Sequence, residues 1–454
     1  MFTDEELDAV IKAYDVRGLV DSQISPDFAF ALGAAFARFL QVEREAPRVV
    51  IGEDMRPSSS ELAEAFADGL NSQGFDAIRI GLASTDMLYF ASGKLNLPGT
   101  MFTASHNPAA YNGMKLCKSG ARPIGKESGL MMIKNFMKEG VPLKPMQSGT
   151  TSTQDLLEDY GDFLLSLFDA GEIARARPLK VVVDAGNGMA GYTAPAVLAK
   201  LNVEVIPMYF ELDGTFPNHE ANPIDPANLR DLQQKVIEVG ADIGLAFDGD
   251  ADRCFLVDEH GELVNPSALT ALIAVRELKR KPGSTIIYNV ISSKAVPEIV
   301  REHGGTPVRS RVGHSYIKKL MAETGAVFGG EHSGHFYFTD FWRADSGMLA
   351  ALFALSELGA SNQPLSSLLA QYNRYVSSGE INTTVADAQS SIARVKAEFA
   401  AYEMDEMDGL TVTAPDWWFN LRPSNTEPLL RLNVEADNAE LMAAKRDELL
   451  ALIR

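Results

Sequence analysis

The chain has almost no cysteine: Cys117 and Cys254 are the only two in 454 residues. So few exclude a disulfide framework and suit a reducing compartment, in which both are expected as buried thiols. No unbroken apolar run approaches the ~18 residues that a membrane-spanning helix requires. The first residues, Met1-Phe-Thr-Asp4-Glu5-Glu6-Leu7, lack the basic and apolar regions of an export signal, so a cytoplasmic location is expected. Positive charge is scarce too, with 41 Lys and Arg against 61 Asp and Glu and a net charge of -20. Nucleic acid and anionic membranes reward basic patches, so neither is expected as a partner. A small anionic substrate remains open, but local Arg, Lys, helix N-termini or a metal must attract it against the field of the whole molecule.

In bulk the composition is that of a soluble globular protein, 46% hydrophobic and 22% charged, and the length suits three or four domains. Strand-like and helix-like runs alternate. Arg48 to Gly52 reads as a buried strand, Ser60 to Gly74 as a helix, Ala77 to Ile80 as the next strand, and Gly99 to Phe102 as another. This alternation argues α/β layers with mainly parallel sheets and loops gathered at the C-terminal ends of the strands. Arg17-Gly18 reads as a turn that ends a short extended run, Asn112-Gly113 as another turn, and Met146 to Thr153, small, polar and aperiodic, as a linker. Further on, Lys180 to Val183, Ile243 to Phe247 and Thr285 to Val290 read as strands, and Asn228 to Gly240 and Ser315 to Thr324 as helices. Trp417–Leu421 and Leu429–Val434 read as two strands joined by a loop, and Asn438 to Ile453 as a final helix.

Two stretches carry chemistry. Thr103-Ala-Ser105-His106-Asn107-Pro108 places a hydroxyl and an imidazole on a turn directly after a strand, although adjacent Ser and His seldom work as a protease pair. Asp248-Gly-Asp250-Ala-Asp252-Arg253 places three carboxylates so close that they repel unless a hard cation holds them. An EF-hand would need Gly where Arg253 stands and helices where strands are expected. An aspartyl phosphatase would have Thr or Val at position 252, where a third Asp suits a metal cage better. Gly186-Asn187-Gly188 with Gly191 hints at a nucleotide fingerprint, but the next strand with a terminal acid is missing, and a packing turn is preferred. His332 and His335 could suggest zinc, for which Glu331 and Ser333 are poor companions.

Together with Lys12-Ala-Tyr14-Asp15-Val16-Arg17-Gly18, Gly330-Glu331-His332-Ser333-Gly334-His335 and Arg422-Pro423-Ser424-Asn425-Thr426-Glu427-Pro428, these stretches resemble the α-D-phosphohexomutases, specifically their bacterial phosphomannomutase/phosphoglucomutase branch. The resemblance covers nearly the whole chain. It implies three similar α/β domains with mixed, mainly parallel sheets plus a smaller α+β C-terminal domain, arranged around a central cleft. The expected divisions are 1–150 with a phosphoserine loop, 151–254 with a metal loop, 255–368 with a sugar loop, and 369–454 with a phosphate loop.

By the same resemblance, Ser105 carries a phosphoryl group, with His106, Arg17 and Lys115 around it and Asp248, Asp250, Asp252 and Ser105 itself holding Mg²⁺. Substrate contacts are expected from Tyr14, Arg253, Gly313, His314, Glu331, Ser333, His335, Arg422, Ser424, Asn425 and Thr426. The implied reaction interconverts mannose 6-phosphate and mannose 1-phosphate through a hexose 1,6-bisphosphate. Glucose phosphate or dual specificity is the alternative, and a glucosamine phosphate mutase, a metal-dependent sugar phosphatase or a sensor without turnover is less favoured. Hexose phosphates are then the partners, and a monomer or homodimer the assembly. The chain departs from the family at Ile291, where mutases often carry a basic residue; either that phosphate contact is absent or Lys294 supplies it.

Overall fold

Apolar strand-length runs followed by amphipathic helices account for most of the backbone. The computed structural model describes residues 2–142, 148–169, 177–423 and 429–453. The chain divides into two units, Met1–Val264 with Ser333–Ser366, and Asn265–His332 with Ser367–Arg454.

In the first unit, Val16–Leu19, Tyr111–Lys118, Gly99–Phe102, Arg48–Glu53, Asp76–Leu82 and Thr151–Thr153 lie side by side in that order. Arg48–Glu53 is parallel to both of its neighbours, and the connections run through the helices Ser59–Asn71 and Thr85–Leu95. Val16–Leu19 and Tyr111–Lys118 close one side as antiparallel strands. Three local expectations change here. Arg17 lies within a strand, opposite Gly113, and Asn112-Gly113 is strand, not turn. Thr151–Thr153, expected as linker, pairs in parallel with Asp76–Leu82, because β-branched threonines suit an exposed sheet edge.

The helices Pro26–Val42 and Ser59–Asn71 pack so closely that a Cβ on Gly69 would lie 2.1 Å from the Phe30 carbonyl oxygen. Phe66 then fills the core, edge-on to Phe102 with ring centroids 5.5 Å apart. A second sheet in this unit orders Cys254–Val257, Ile243–Phe247, Leu179–Asp184 and Val203–Met208, parallel apart from the first pair. An antiparallel pair, Phe336–Phe338 with Ala344–Asp345, precedes the largely buried helix Gly347–Ala360. Cys117 and Cys254 are both buried thiols.

The second unit holds a parallel group, Thr306–Ser310, Thr285–Asn289 and Phe328–Gly330, with the helices Pro266–Arg280, Ala295–Glu302 and His314–Thr324. It also holds an all-antiparallel five-stranded sheet ordered Val376–Thr384, Leu429–Ala436, Trp417–Pro423, Leu410–Thr413 and Glu403–Asp405. Residues 388–398 and 439–453 form the helices that go with it. The fold class is therefore as expected, α/β with mixed and mainly parallel sheets and an α+β C-terminal region. No helix among the described residues is long and apolar enough to cross a membrane.

Candidate active site

The strands Gly99–Phe102 and Ile243–Phe247 are buried along their whole length. Each ends in a polar loop at its C-terminal end, where open α/β sheets hold ligands. On the first loop Ser105 has φ +51, a left-handed conformation that costs a non-glycine residue about 1–2 kcal/mol. Its Oγ donates to Asp248 Oδ2 at 2.8 Å and lies 3.2 Å from His106 Nδ1. The loops meet main chain to main chain: a Cβ on Gly249 would lie 2.5 Å from the Ser105 carbonyl oxygen.

Asp248, Asp250 and Asp252 are all buried, and one carboxylate oxygen from each lies within 4.8 Å of the others. Lys115 Nζ stands between two of them, 2.6 Å from Asp250 Oδ2 and 2.6 Å from Asp252 Oδ2. Thr85 donates through Oγ1 to Asp250 Oδ2 at 2.6 Å and through its backbone N–H to the Asp250 carbonyl at 2.9 Å. Burial, with Asp252 and Asp250 nearby, pushes Asp248 well above the usual carboxylate range. Asp252, although burial raises it, is held well below that range by Lys115 and His335. Burial would also lower Lys115, but Asp250 and Asp252 outweigh it and keep the ammonium charged. Burial together with Arg253 and Arg17 lowers His106 well below its ordinary value.

The donor set fits a hard divalent cation. Three carboxylates offer oxygens at one point, and Asp250 Oδ1 is buried without a hydrogen-bond partner. Strands on both sides of the Asp loop, Ile243–Phe247 and Cys254–Val257, leave no place for an EF-hand. Gly188 and Gly191 are packing glycines, since a Cβ would lie 2.7 Å from the Gly249 oxygen in one case and 2.3 Å from the Phe210 oxygen in the other.

Of the other expected residues, Arg17 donates through Nη1 to Asn107 Oδ1 at 2.5 Å and through Nη2 to Asp15 Oδ2 at 2.5 Å. Arg253 N–H donates to Asp248 Oδ1 at 3.1 Å, and its Nε lies 3.2 Å from His335 Nε2. His335 Nδ1 lies 3.0 Å from Ser333 Oγ. Tyr14 is half-buried ahead of Val16–Leu19. These all belong to the first unit.

In the second unit, Glu331 Oε1 accepts from Gly313 N–H at 3.0 Å and Asn289 Nδ2 at 3.3 Å. His314 begins the helix His314–Thr324. Arg422 Nη2 donates to Glu380 Oε2 at 2.6 Å, and Arg431 Nη1 lies 3.4 Å from Glu380 Oε1. Ser424, Asn425 and Thr426 lie outside the described residues. Lys294 Nζ donates to the Pro415 carbonyl at 3.0 Å and lies 5.4 Å from the centre of the Tyr375 ring. Sequence reasoning missed Asp54, Arg56, Thr85 and Glu380. Asp54-Met-Arg56 had a readable signal, an acid and a base directly after a buried strand.

A hydroxyl on a left-handed turn beside a carboxylate cage, at the ends of parallel strands, is the make-up of an α/β enzyme of phosphoryl transfer. Family profiles described as phosphoglucomutase/phosphomannomutase match the chain in four stretches: alpha/beta/alpha domain I over residues 8–142, domain II over 158–261, domain III over 265–375, and the C-terminal domain over 380–452. A phosphomannomutase of Escherichia coli is 40% identical over 456 residues, covering 98% of each chain. A protein of Xanthomonas campestris named phosphohexose mutases is 40% identical over 453 residues, again with 98% of each covered. The crystal structure of a phosphoglucomutase/phosphomannomutase family protein from Burkholderia thailandensis superposes with a TM-score of 0.89 at 34% identity, covering 98% of this chain and 97% of that one. The chain belongs to the phosphoglucomutase/phosphomannomutase family. It is a phosphohexomutase, an isomerase that moves a phosphoryl group within a sugar phosphate.

Proposed function

We propose that the chain interconverts mannose 6-phosphate and mannose 1-phosphate through a phosphoserine at Ser105 and a hexose 1,6-bisphosphate, in the cytoplasm. One observation carries the reading: Ser105 Oγ, aimed by left-handed backbone, sits 2.8 Å from a carboxylate of a buried three-Asp cage. Asp248, Asp250 and Asp252 with Ser105 Oγ would hold Mg²⁺, which suits oxygen ligands and keeps waters. When bound, the cation supplies positive charge against the phosphoryl oxygens.

The chain's own residues do the rest. Lys115 and Arg17 add positive charge beside Ser105, and Arg17 Nε, buried without an acceptor, has a donor to spare. His106 Nδ1, at 3.2 Å from Oγ, is placed to take or return the serine proton. Phosphoryl transfer needs positioning and charge more than covalent help, and these contacts supply both. Glu331 and Ser333 bind the sugar hydroxyls, Gly313, His314 and His335 contribute further substrate contacts, and Arg422 binds the phosphate not in transit. On this assignment residues 1–150 carry the phosphoserine, 151–254 the metal, 255–368 the sugar contacts and 369–454 the distal phosphate site.

Ser105→Ala tests the reading: activity should vanish, and the phosphate found by intact-mass analysis of active enzyme should vanish with it. Compared kcat/KM on mannose 1-phosphate, glucose 1-phosphate and glucosamine 1-phosphate, with a bisphosphate activator, tests the sugar. A glucose 1-phosphate value at or above that for mannose would replace mannose specificity with dual or glucose specificity.

A further inference from the structure

Four backbone carbonyls of the Ser105 loop turn inward toward one side chain. Arg56, only 2% exposed, donates through Nη2 to the Ser105 carbonyl at 2.9 Å and the Asn107 carbonyl at 2.6 Å. Through Nη1 it donates to the Pro108 and Tyr111 carbonyls, each at 2.9 Å. Its Nε donates to Asp54 Oδ2 at 3.2 Å, so each guanidinium nitrogen has an acceptor. Asp54 Oδ1 in turn accepts from Ser59 Oγ at 2.6 Å and from the Arg56 backbone N–H at 3.0 Å. The Phe216 ring covers the guanidinium, 5.1 Å from its central carbon.

Folding alone does not require such an arrangement. A buried loop can satisfy its carbonyls with neighbouring main chain, and a strained residue persists only where its surroundings over-determine it. Here a planar fork with two well-separated nitrogens gathers carbonyls from both ends of residues 105–111, and the left-handed residue of that loop is Ser105 itself. The outward side of the same loop then presents two functional groups, Ser105 Oγ toward Asp248 and Asn107 Oδ1 toward Arg17.

We propose that Arg56 is a positioning residue for phosphoryl transfer: it locks the loop in the conformation that aims Ser105 Oγ at the carboxylate cage, and through Asn107 it also sets Arg17. This rests on reading Ser105 as the phosphoryl carrier. In the step it serves, the Ser105 Oγ–P bond forms as the P–O bond to the sugar breaks, and the serine proton passes to the sugar oxygen. Lysine cannot replace it. An ammonium keeps the charge beside Asp54 but is a point donor and cannot span both carbonyl pairs.

The test uses full-length Arg56→Lys beside wild type, dephosphorylated and then mixed with glucose 1,6-bisphosphate, with phosphate on Ser105 followed by quenched flow and intact mass. Uptake rate and steady-state kcat should both fall about a hundredfold, the scale of a misplacement near 1 Å. KM for the hexose monophosphate should stay within about twofold, because its contacts are made elsewhere. Wild-type kcat and uptake in Arg56→Lys, or a raised KM with unchanged uptake, would overturn the proposal. If circular dichroism shows that Arg56→Lys does not fold, Phe216→Ala takes its place, because it uncovers and loosens the guanidinium while removing none of the hydrogen-bonding groups. It should lower kcat several-fold at constant KM, and an unchanged kcat there overturns the proposal as well. A wild-type enzyme that takes up no phosphate on Ser105 would instead overturn the underlying reading.

Discussion

Lys115→Met keeps the aliphatic stem and removes the ammonium that sits 2.6 Å from both Asp250 and Asp252. Three buried carboxyl groups then face each other, with Arg253 Nε at 3.4 Å from Asp248 and His335 Nε2 at 3.4 Å from Asp252. Breaking a buried ion pair by deleting one partner costs about 3–5 kcal/mol. The cage can relieve itself by taking up a proton, which sets a ceiling. An ordinary aspartate titrates near 3.9, so protonation costs about 4 kcal/mol at pH 7 and about 1.5 kcal/mol at pH 5. The metal-free variant should therefore lose about 4 kcal/mol of stability at pH 7 and about 1.5 kcal/mol at pH 5. The sign follows from proton binding, since the folded variant holds one proton more than folded wild type, one that the unfolded chain has released, and stability falls as pH rises. A cation bound only by the folded cage should return about 2.7 kcal/mol at a hundredfold excess over its Kd. Urea unfolding in EDTA and in millimolar Mg²⁺, at both pH values, measures all of this. A loss that is equal at the two pH values and indifferent to Mg²⁺ would refute the reasoning.

On the assignment proposed for Arg422, Arg422→Ala removes charge-assisted hydrogen bonds to the distal phosphate worth roughly 1.5–3 kcal/mol, so kcat/KM should fall about ten- to more than a hundredfold, mostly through KM; a fall in kcat alone would redraw that site. Asp86 is buried beneath the hydroxyls of Ser84, Tyr160 and Ser346, and burial pushes its carboxyl up to about 6. Its folded form therefore binds a proton more tightly than the unfolded chain does, and it withdraws about 3 kcal/mol as pH rises from about 4 through about 6. Asp86→Asn should flatten the stability profile over that range in denaturant titrations, and an unchanged slope counts against it. Gly69→Ala must push a pair of helices apart at a backbone contact and should lower stability by about 1–3 kcal/mol with little change in KM, as thermal unfolding and steady-state kinetics would show.

What could be read from the sequence and what could not divides along the reach of each interaction. The Ser105 loop and the Asp248 loop were legible because an apolar run stops and polar chemistry starts within one or two residues, a local signal. The parallel order of Arg48–Glu53 with its neighbours followed from strands alternating with helices. Arg56 offers the same local signal, directly after a buried strand, but its role was not legible. Its partners are carbonyls some fifty residues further on, and a carbonyl has no side-chain identity to notice. Glu380 was hidden for another reason. Its strand shifts register between Ser377 and Glu380, and such a bulge redirects side chains that simple alternation would have placed elsewhere. Asn112-Gly113 misled as a turn because the dipeptide suits one, whereas tertiary contacts decide otherwise: Asn112 Nδ2 donates to Ser58 and Ser59.

The contact between Gly249 and the Ser105 carbonyl bears on engineering. Because the loops are spaced by main chain, no choice of rotamer can change the distance between their backbones. Saturation mutagenesis at position 249 should therefore leave a single tolerated residue even though no side chain there touches anything reactive. Grafting the Asp loop onto another parallel sheet would need more than its three acids: the host would have to offer a carbonyl at the same height, or the graft would bind a cation and leave it out of reach of any hydroxyl.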